Sequence, residues 1–180
     1  GPQAARLLSK KGIRTVEDAL YFLPRAYEDR RKLTPIKDLV AGQTATLMIT
    51  CKGGREARQG RTARFEVTGL DPTGGIRLFW FRSFPSLKED FADGKQVLVH
   101  GEVTFFGGFA RMTHPDYEVV KETQDGRPIP SYHFGRVVPI YSETEGLHQK
   151  TVRRIMAQVL KESLGELDEP LSEDMRGRLK

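Results

Sequence analysis

The amino-acid sequence predicts a mainly β protein of the α+β class: a five-stranded OB-fold barrel with an N-terminal helical segment and a C-terminal connector helix. Near Gly42 the apolar pattern changes from a period of 3.6 residues to a period of two, which marks the start of a β-rich domain. Strands are predicted at residues 44–52, 62–70, 75–82, 96–106 and 109–120. A short helix between the third and fourth strands completes the element order of an OB fold.

The N-terminal segment, residues 1–40, is predicted to begin with two short helices within residues 3–23, separated at Lys11-Gly12. Thr15 is a suitable N-cap for the second helix because Asp18 stands three residues later, at the capping-box position. Pro24 is expected to end the helical region.

The barrel is predicted to occupy residues 41–122, with connections made of turn residues. Paired glycines at 53–54 and 107–108 predict tight turns. The short helix is predicted at residues 84–91, since Pro85 suits a first helical position.

Residues 123–180 are predicted to hold a polar linker and then a connector helix over 148–164. Val152, Ile155, Met156 and Val159 recur at helical spacing, which indicates one apolar face that needs a packing partner.

Composition favours a polyanionic partner. The chain of 180 residues has 29 Lys and Arg against 24 Asp and Glu, a net charge of +5. The last twenty residues hold four basic and six acidic groups, so the basic excess belongs to the first 160.

Cys51 has no second cysteine, which excludes an intrachain disulfide and a thiolate zinc site and favours a cytoplasmic location. No apolar run approaches the length of a membrane span.

Residues 77–84 concentrate aromatic rings and guanidinium groups at the end of the third strand. Rings of this kind stack on nucleobases at about 1–3 kcal/mol per base, whatever the sequence. The stretch supplies these candidate nucleic-acid contacts: Arg77, Trp80, Phe81, Arg82 and Phe84. Strand alternation places Ile76, Leu78 and Trp80 on one face and Arg77, Phe79 and Phe81 on the other, so Phe81 is the better stacking candidate unless the strand has ended before Trp80.

Two predicted loops of the barrel contain residue types suited to nucleic-acid binding. The loop predicted between the first two strands holds the cations Lys52, Arg55, Arg58, Arg61 and Arg64, and the loop between strands four and five runs from Phe105 to Arg111. In an OB fold both loops border the ligand-binding face, so their side chains are expected to meet there. A solvated basic hairpin is the alternative.

Enzyme signatures are missing from the sequence. It has no G-x-x-x-x-G-K-[ST] phosphate loop, and its four histidines lack metal-ligand spacing. We therefore expect no catalytic residues, no metal site and no cofactor in this chain.

Four blocks resemble a known family: residues 12–20 (GIRTVEDAL), 23–30 (LPRAYEDR), 112–119 (MTHPDYEV) and 139–150 (PIYSETEGLHQK). In this order they resemble the N-terminal region of the RecG family of ATP-dependent DNA helicases, which act in DNA repair and recombination. The resemblance implies an OB-fold wedge that docks on branched DNA, with motor domains in cis that use ATP and Mg. It also implies that the connector helix leads toward a motor.

The family's stacking aromatics fall on Trp80 and Phe81, with Phe84 near the second contact position, so the resemblance predicts an exposed Trp80. Arg82 is a departure, because relatives often have a small polar residue there. The resulting hypothesis is a monomeric module that binds branched or single-stranded DNA without unwinding it. A protein-interaction OB domain is the alternative, because protein interfaces are also rich in Trp, Phe and Arg.

Overall fold

The computed structural model describes residues 1–59, 62–121, 131–142, 146–163 and 165. Its helices are α1 (Pro2–Ser9), α2 (Val16–Leu20), α3 (Pro85–Asp90) and α4 (Gln149–Ser163), with a 3-10 turn at Ile36–Asp38. Its strands are β1 (Ala26–Asp29), β2 (Thr44–Gln59), β3 (Thr62–Asp71), β4 (Gly74–Trp80), β5 (Gln96–Glu102), β6 (Thr104–Phe106), β7 (Phe109–Thr113), β8 (Asp116–Val119) and β9 (Val137–Ile140). Within the described part, no helix is long and apolar enough to cross a membrane.

The chain divides into two compact units. One contains residues 1–27 and the described residues from Pro139 onward, and the other contains residues 28–138. The boundaries predicted after residues 40 and 122 differ from this division, which groups residues 28–40 with the barrel. Residues 122–130, which make up most of the predicted linker, lie outside the described residues, as do 166–180.

The larger unit contains one sheet of seven strands in the order β6-β7-β4-β3-β2-β5-β8. β4 and β7 are parallel and the other neighbours are antiparallel. β8 is the edge strand beside β5, and β7 pairs with β4 on the far side of the sheet, next to the other edge strand, β6. Because β7 and β8 are consecutive in the chain, they connect the two sides and close the sheet into a barrel. The predicted mainly β, OB-like fold is confirmed, and α3 lies between β4 and β5 as expected.

The predicted strand 109–120 is wrong as a single strand. It breaks at His114-Pro115, where His114 has a left-handed backbone with φ of 51°. The N–H of His114 still bonds the Phe79 carbonyl at 2.8 Å, while Pro115 has no N–H to continue the ladder. Because of this break, the residues before it pair with β4 as strand β7, and the residues after it pair with β5 as strand β8. The predicted strand 96–106 is likewise two strands, β5 and β6.

The barrel core follows from the alternation of apolar residues along each strand. On β4, Ile76, Leu78 and Trp80 share the buried face, in agreement with the strand alternation, which placed these three residues together. Gly69 on β3 is required by close packing, since a Cβ there would lie 2.3 Å from Cδ1 of Ile49. Other fully buried core side chains are Leu47, Phe65, Val67, Leu87, Phe91, Val97, Val99, Val103 and Met112.

The smaller unit confirms the predicted helices. Thr15 caps α2 through a capping box: its hydroxyl accepts from the Asp18 N–H at 3.1 Å, and the Asp18 carboxylate accepts from the Thr15 N–H at 2.9 Å. The hydrogen bonds that the Asp18 carboxylate accepts from the N–H groups of Arg14 and Thr15 lower the pKa of Asp18. The partner of the apolar face of α4 is the N-terminal segment, in a core of Leu8, Ile13, Ala19, Tyr141, Val152 and Met156.

A buried polar cluster lies in the larger unit around Arg30. Its guanidinium bonds Glu28 at 2.6 Å and Asp116 at 2.9 Å, and is almost fully buried. His100 is also buried: its Nδ1 lies 2.8 Å from the Thr46 hydroxyl and its Nε2 lies 3.2 Å from Glu28. Burial, and then the positive charge of Arg30, lower the pKa of His100 below 6.5, although Glu28 and Asp116 oppose the change.

This cluster predicts a loss of stability in mild acid. With its pKa lowered in the folded state, His100 binds fewer protons there than in the unfolded chain, so its contribution is complete above pH 6.5 and falls as pH drops below it. Urea unfolding of the wild type and of His100→Asn at pH 7.5, 6.5 and 5.5 measures this contribution. The wild type should lose more stability than the variant, and parallel losses would contradict the assignment to His100.

Candidate nucleic-acid interface

Strand register brings cations from four strands onto one surface of the barrel. Neighbouring residues across the sheet form one row of Lys52, Thr68, Arg77 and Arg111, and a second of Arg55, Glu66, Phe79 and Thr113. A third pair, Ala57 and Arg64, follows on β2 and β3. We call the surface formed by Lys52, Arg55, Arg64, Glu66, Thr68, Arg77, Phe79 and Arg111 the outer face.

The first hairpin extends the outer face beyond the predicted loop. Strands β2 and β3 continue through most of residues 53–61, which the sequence predicted as loop. The paired glycines 53–54 form a register shift between Lys52 and Arg55, and not the hairpin turn. Gly54 suits this bulge because a Cβ would lie 2.9 Å from the Phe65 ring. The basic residues are therefore held on sheet, with backbone pairing that fixes their spacing.

Aromatic rings orient two of the guanidinium groups. The Cζ atom of Arg111 lies 4.1 Å from the ring centroid of Phe79 and 5.2 Å from that of Phe106. The Cζ atom of Arg77 lies 4.9 Å from the ring centroid of Phe109. These cation–π contacts hold planar donors against the sheet, where they present fixed N–H groups to an anion or a base.

A cleft lies at the middle of the outer face. It has a volume of about 230 Å³. We call it the central cleft. The residues that line it are Arg55, Glu66, Arg77, Phe79, Phe106 and Arg111. The Nη2 atom of Arg55 donates to Oε2 of Glu66 at 3.1 Å. Residues from the first hairpin and from the β6–β7 hairpin thus meet here, as the sequence predicted for the two connections.

Two further aromatic rings project just after β4. Phe81 is 56% exposed and Phe84 is 43% exposed. The Phe81 ring packs edge-on against the His114 ring with centroids 4.9 Å apart, and the Phe81 N–H donates to Nε2 of His114 at 3.4 Å. Phe84 is the N-cap residue of α3. We call Phe81 and Phe84 the strand-end aromatics.

The turn that carries the strand-end aromatics is tied to the first hairpin. The N–H of Ser83 donates to the Ala63 carbonyl at 3.0 Å, and its hydroxyl donates to the Glu56 carboxylate. Lys88 of α3 lies 2.9 Å from the same carboxylate. These bonds hold the turn in place, so that the exposed rings project from a supported position.

The expectation of an exposed Trp80 is wrong. Its side chain is only 5% exposed and belongs to the barrel core. Its ring lies 4.8 Å from the Phe91 ring and 5.9 Å from the Tyr117 ring, between centroids. Because β4 keeps its alternation as far as Trp80, the indole points inward and has no face open for a base.

The other predicted contacts fall into three groups. Lys52, Arg55, Arg64, Arg77 and Arg111 share the outer face, whereas Arg82 is exposed beside the strand-end aromatics. The Arg58 side chain and Arg61 lie outside the described residues. Sequence reasoning did not select Phe79, Phe106, Phe109 or Glu66, although their alternation with the arginines and the Gly107-Gly108 turn were signals for them.

The described residues show no group of three or more His, Cys, Asp or Glu placed to hold a metal ion. Burial, with Asp93 nearby, raises the pKa of the Cys51 thiol to about 11, so the thiol stays protonated near neutral pH.

Comparisons with known proteins agree with this fold and surface. The model of the RecG wedge domain family matches residues 1–162. The chain is 33% identical to the ATP-dependent DNA helicase RecG of Pasteurella multocida over 85% of its own length and 21% of the relative. It is 32% identical to that of Aquifex aeolicus over 87% of its length and 20% of the relative. The chain thus spans about a fifth of the curated relatives it matches.

A solved structure of RecG bound to a three-way DNA junction superposes with a TM-score of 0.74 and 27% identity, over the whole of this chain and 24% of that one. The match therefore includes the barrel and the helices on either side of it in sequence. By family model, sequence identity and fold, the chain belongs to the RecG wedge domain family.

Proposed function

We propose that this chain is the branched-DNA-binding wedge module of an ATP-dependent DNA helicase that acts in repair and recombination in the cytoplasm. The observation that carries the proposal is the outer face, where five cations and the ring of Phe79 share one surface beside the strand-end aromatics. The cations bind phosphates and the rings stack on unpaired bases. The junction-bound structure of a relative supports branched DNA as the ligand.

We propose that binding and movement are carried out by different parts of a longer protein. In this proposal, the exposed rings at the end of β4 stack on bases that become unpaired where strands separate at a fork. Movement along DNA needs a motor, and we propose that motor domains in cis, with ATP and Mg, supply it in the longer protein. On its own, and as a monomer, the chain binds junctions without unwinding them.

Salt dependence provides the test of the proposed function. Five phosphate contacts on a single strand give a slope of log K against log salt of about −3.5, since each contributes roughly −0.7. Replacing Arg77 with alanine should lower the affinity for all sequences and reduce the slope to about −2.8. Anisotropy titrations of a labelled single strand and three-way junction at four salt concentrations measure both quantities.

Arg154→Ala is the matched control, because Arg154 is exposed on α4 and outside the barrel. It should keep the affinity and the slope of the wild type. A flat salt response of the wild type, or equal slopes for all three proteins, would contradict the outer face as the phosphate-binding surface. If no DNA bound at all, the protein-interaction alternative would be favoured.

A further inference from the structure

Glu66 is an unexpected residue for a phosphate-binding surface. It is the one carboxylate among the residues that line the central cleft, and it stands between Arg55 and Phe79 in the second row of the outer face. Its side chain is 16% exposed, whereas that of Arg55 is 71% exposed. The acid therefore lies at the floor of the cleft, with a more exposed cation beside it.

This arrangement disfavours a phosphate at the floor of the cleft. A phosphate placed there would meet the negative charge of Glu66 at close range. The same phosphate is better placed on the exposed cations Lys52, Arg55, Arg64 and Arg77. This distribution of charge favours a single strand on the outer face with its bases toward the sheet and its backbone toward those cations.

The cleft offers a base both a stacking surface and an acceptor. Phe106 is 72% exposed, so one face of its ring is accessible although Arg111 lies against it. A carboxylate has about four acceptor positions on two oxygens, and Oε2 of Glu66 receives one hydrogen bond from Arg55. Acceptor capacity therefore remains for N–H groups on the edge of an inserted base.

The chemistry of the four bases distinguishes them at such an acceptor. Guanine presents two adjacent donors, N1–H and the N2 amino group, which match the two oxygens of a carboxylate. Adenine and cytosine present an amino group beside a ring-nitrogen acceptor. Thymine presents a single N–H between two carbonyl oxygens, which a carboxylate repels. Unpaired bases are commonly recognised on this edge.

We propose that the central cleft binds one unpaired nucleobase, that it prefers guanine over thymine, and that Glu66 is the residue that determines this preference. The inference rests on the proposed function, because it requires a single strand on the outer face. It goes further by giving the cleft a base-reading role and by requiring that the base be unpaired. Duplex DNA, with this edge already paired, is excluded from the cleft.

The test uses short thymidine oligonucleotides that carry one central dG, dI or dT. Wild-type protein should bind the dG strand roughly fivefold more tightly than the dT strand, the lower end of what a bidentate base contact provides. The dI strand lacks the N2 amino group and should fall between them. Glu66→Gln keeps the size of the side chain but loses the charge, and it should bring the three affinities within about twofold.

Glu102→Gln is the control, because Glu102 is exposed at the end of β5 and its change removes the same charge. It should keep the guanine preference. Equal binding of dG and dT strands by the wild type, or a preference that persists in Glu66→Gln, would overturn the inference and leave the proposed function intact. Failure of every strand and junction to bind would overturn both.

Discussion

Replacement of both Phe81 and Phe84 with alanine is expected to reduce the affinity for a three-way junction by about 1–3 kcal/mol for each base that loses its stacking partner. Neither ring belongs to the barrel core, so their removal costs the core little. Binding to continuous duplex should change much less, because paired bases are not available to these rings. Anisotropy titrations of junction and duplex at one salt concentration measure the difference.

The single variants separate the two rings. Phe81 is supported by the His114 ring and Phe84 by α3, so each is held at a different place beyond β4. Tyr21→Ala is the control, since Tyr21 is an exposed aromatic residue outside the barrel. It should bind the junction as the wild type does. Unchanged junction binding by a folded Phe81→Ala, Phe84→Ala double variant would refute stacking by the strand-end aromatics.

Replacement of Trp80 with alanine is expected to lower the free energy of unfolding by about 3–5 kcal/mol. The indole is surrounded by Phe65, Phe91 and Tyr117, so its loss leaves a cavity among large rings that cannot all move into it. Urea unfolding followed by circular dichroism measures this loss, because the only tryptophan reporter is removed.

Trp80→Phe distinguishes a core role from a DNA-contact role. Phenylalanine retains part of the packing, so the variant should be less destabilised than Trp80→Ala and remain folded. Its junction affinity should stay within about twofold of the wild type if the indole does not touch DNA. A stable Trp80→Phe variant that binds junctions as poorly as Phe81→Ala would show instead that Trp80 contacts DNA.

The position of Trp80 shows how well the local sequence pattern and the family resemblance each predict whether a side chain is buried or exposed. Alternation along β4 predicted an inward Trp80 and an outward Phe81, and the structure agrees with both. Transfer of the family's stacking positions suggested an exposed Trp80, which is wrong. Alternation succeeded because a strand has only two faces and the preceding residues Ile76 and Leu78 fix which one is buried.

The local sequence pattern does not predict how the barrel closes. Nothing in the segment 109–120 states that its first half pairs with β4 and its second half with β5, since that choice depends on strands far away in sequence. The central cleft depends on the same event, because β7 brings Arg111 beside Arg77 and Phe79. The Gly53-Gly54 pair predicts a turn but lies at a bulge, because glycine suits both turns and bulges.

The most direct test of the account is amide and arginine Nε–H chemical-shift mapping of the isotope-labelled chain titrated with a three-way junction. The account predicts that the largest changes fall on the outer face and on residues 81–84, with Arg55, Arg77 and Arg111 among the shifted Nε–H signals. Changes confined to residues 1–27 and α4, or no changes at concentrations where the junction is bound, would contradict DNA binding by this face of the barrel.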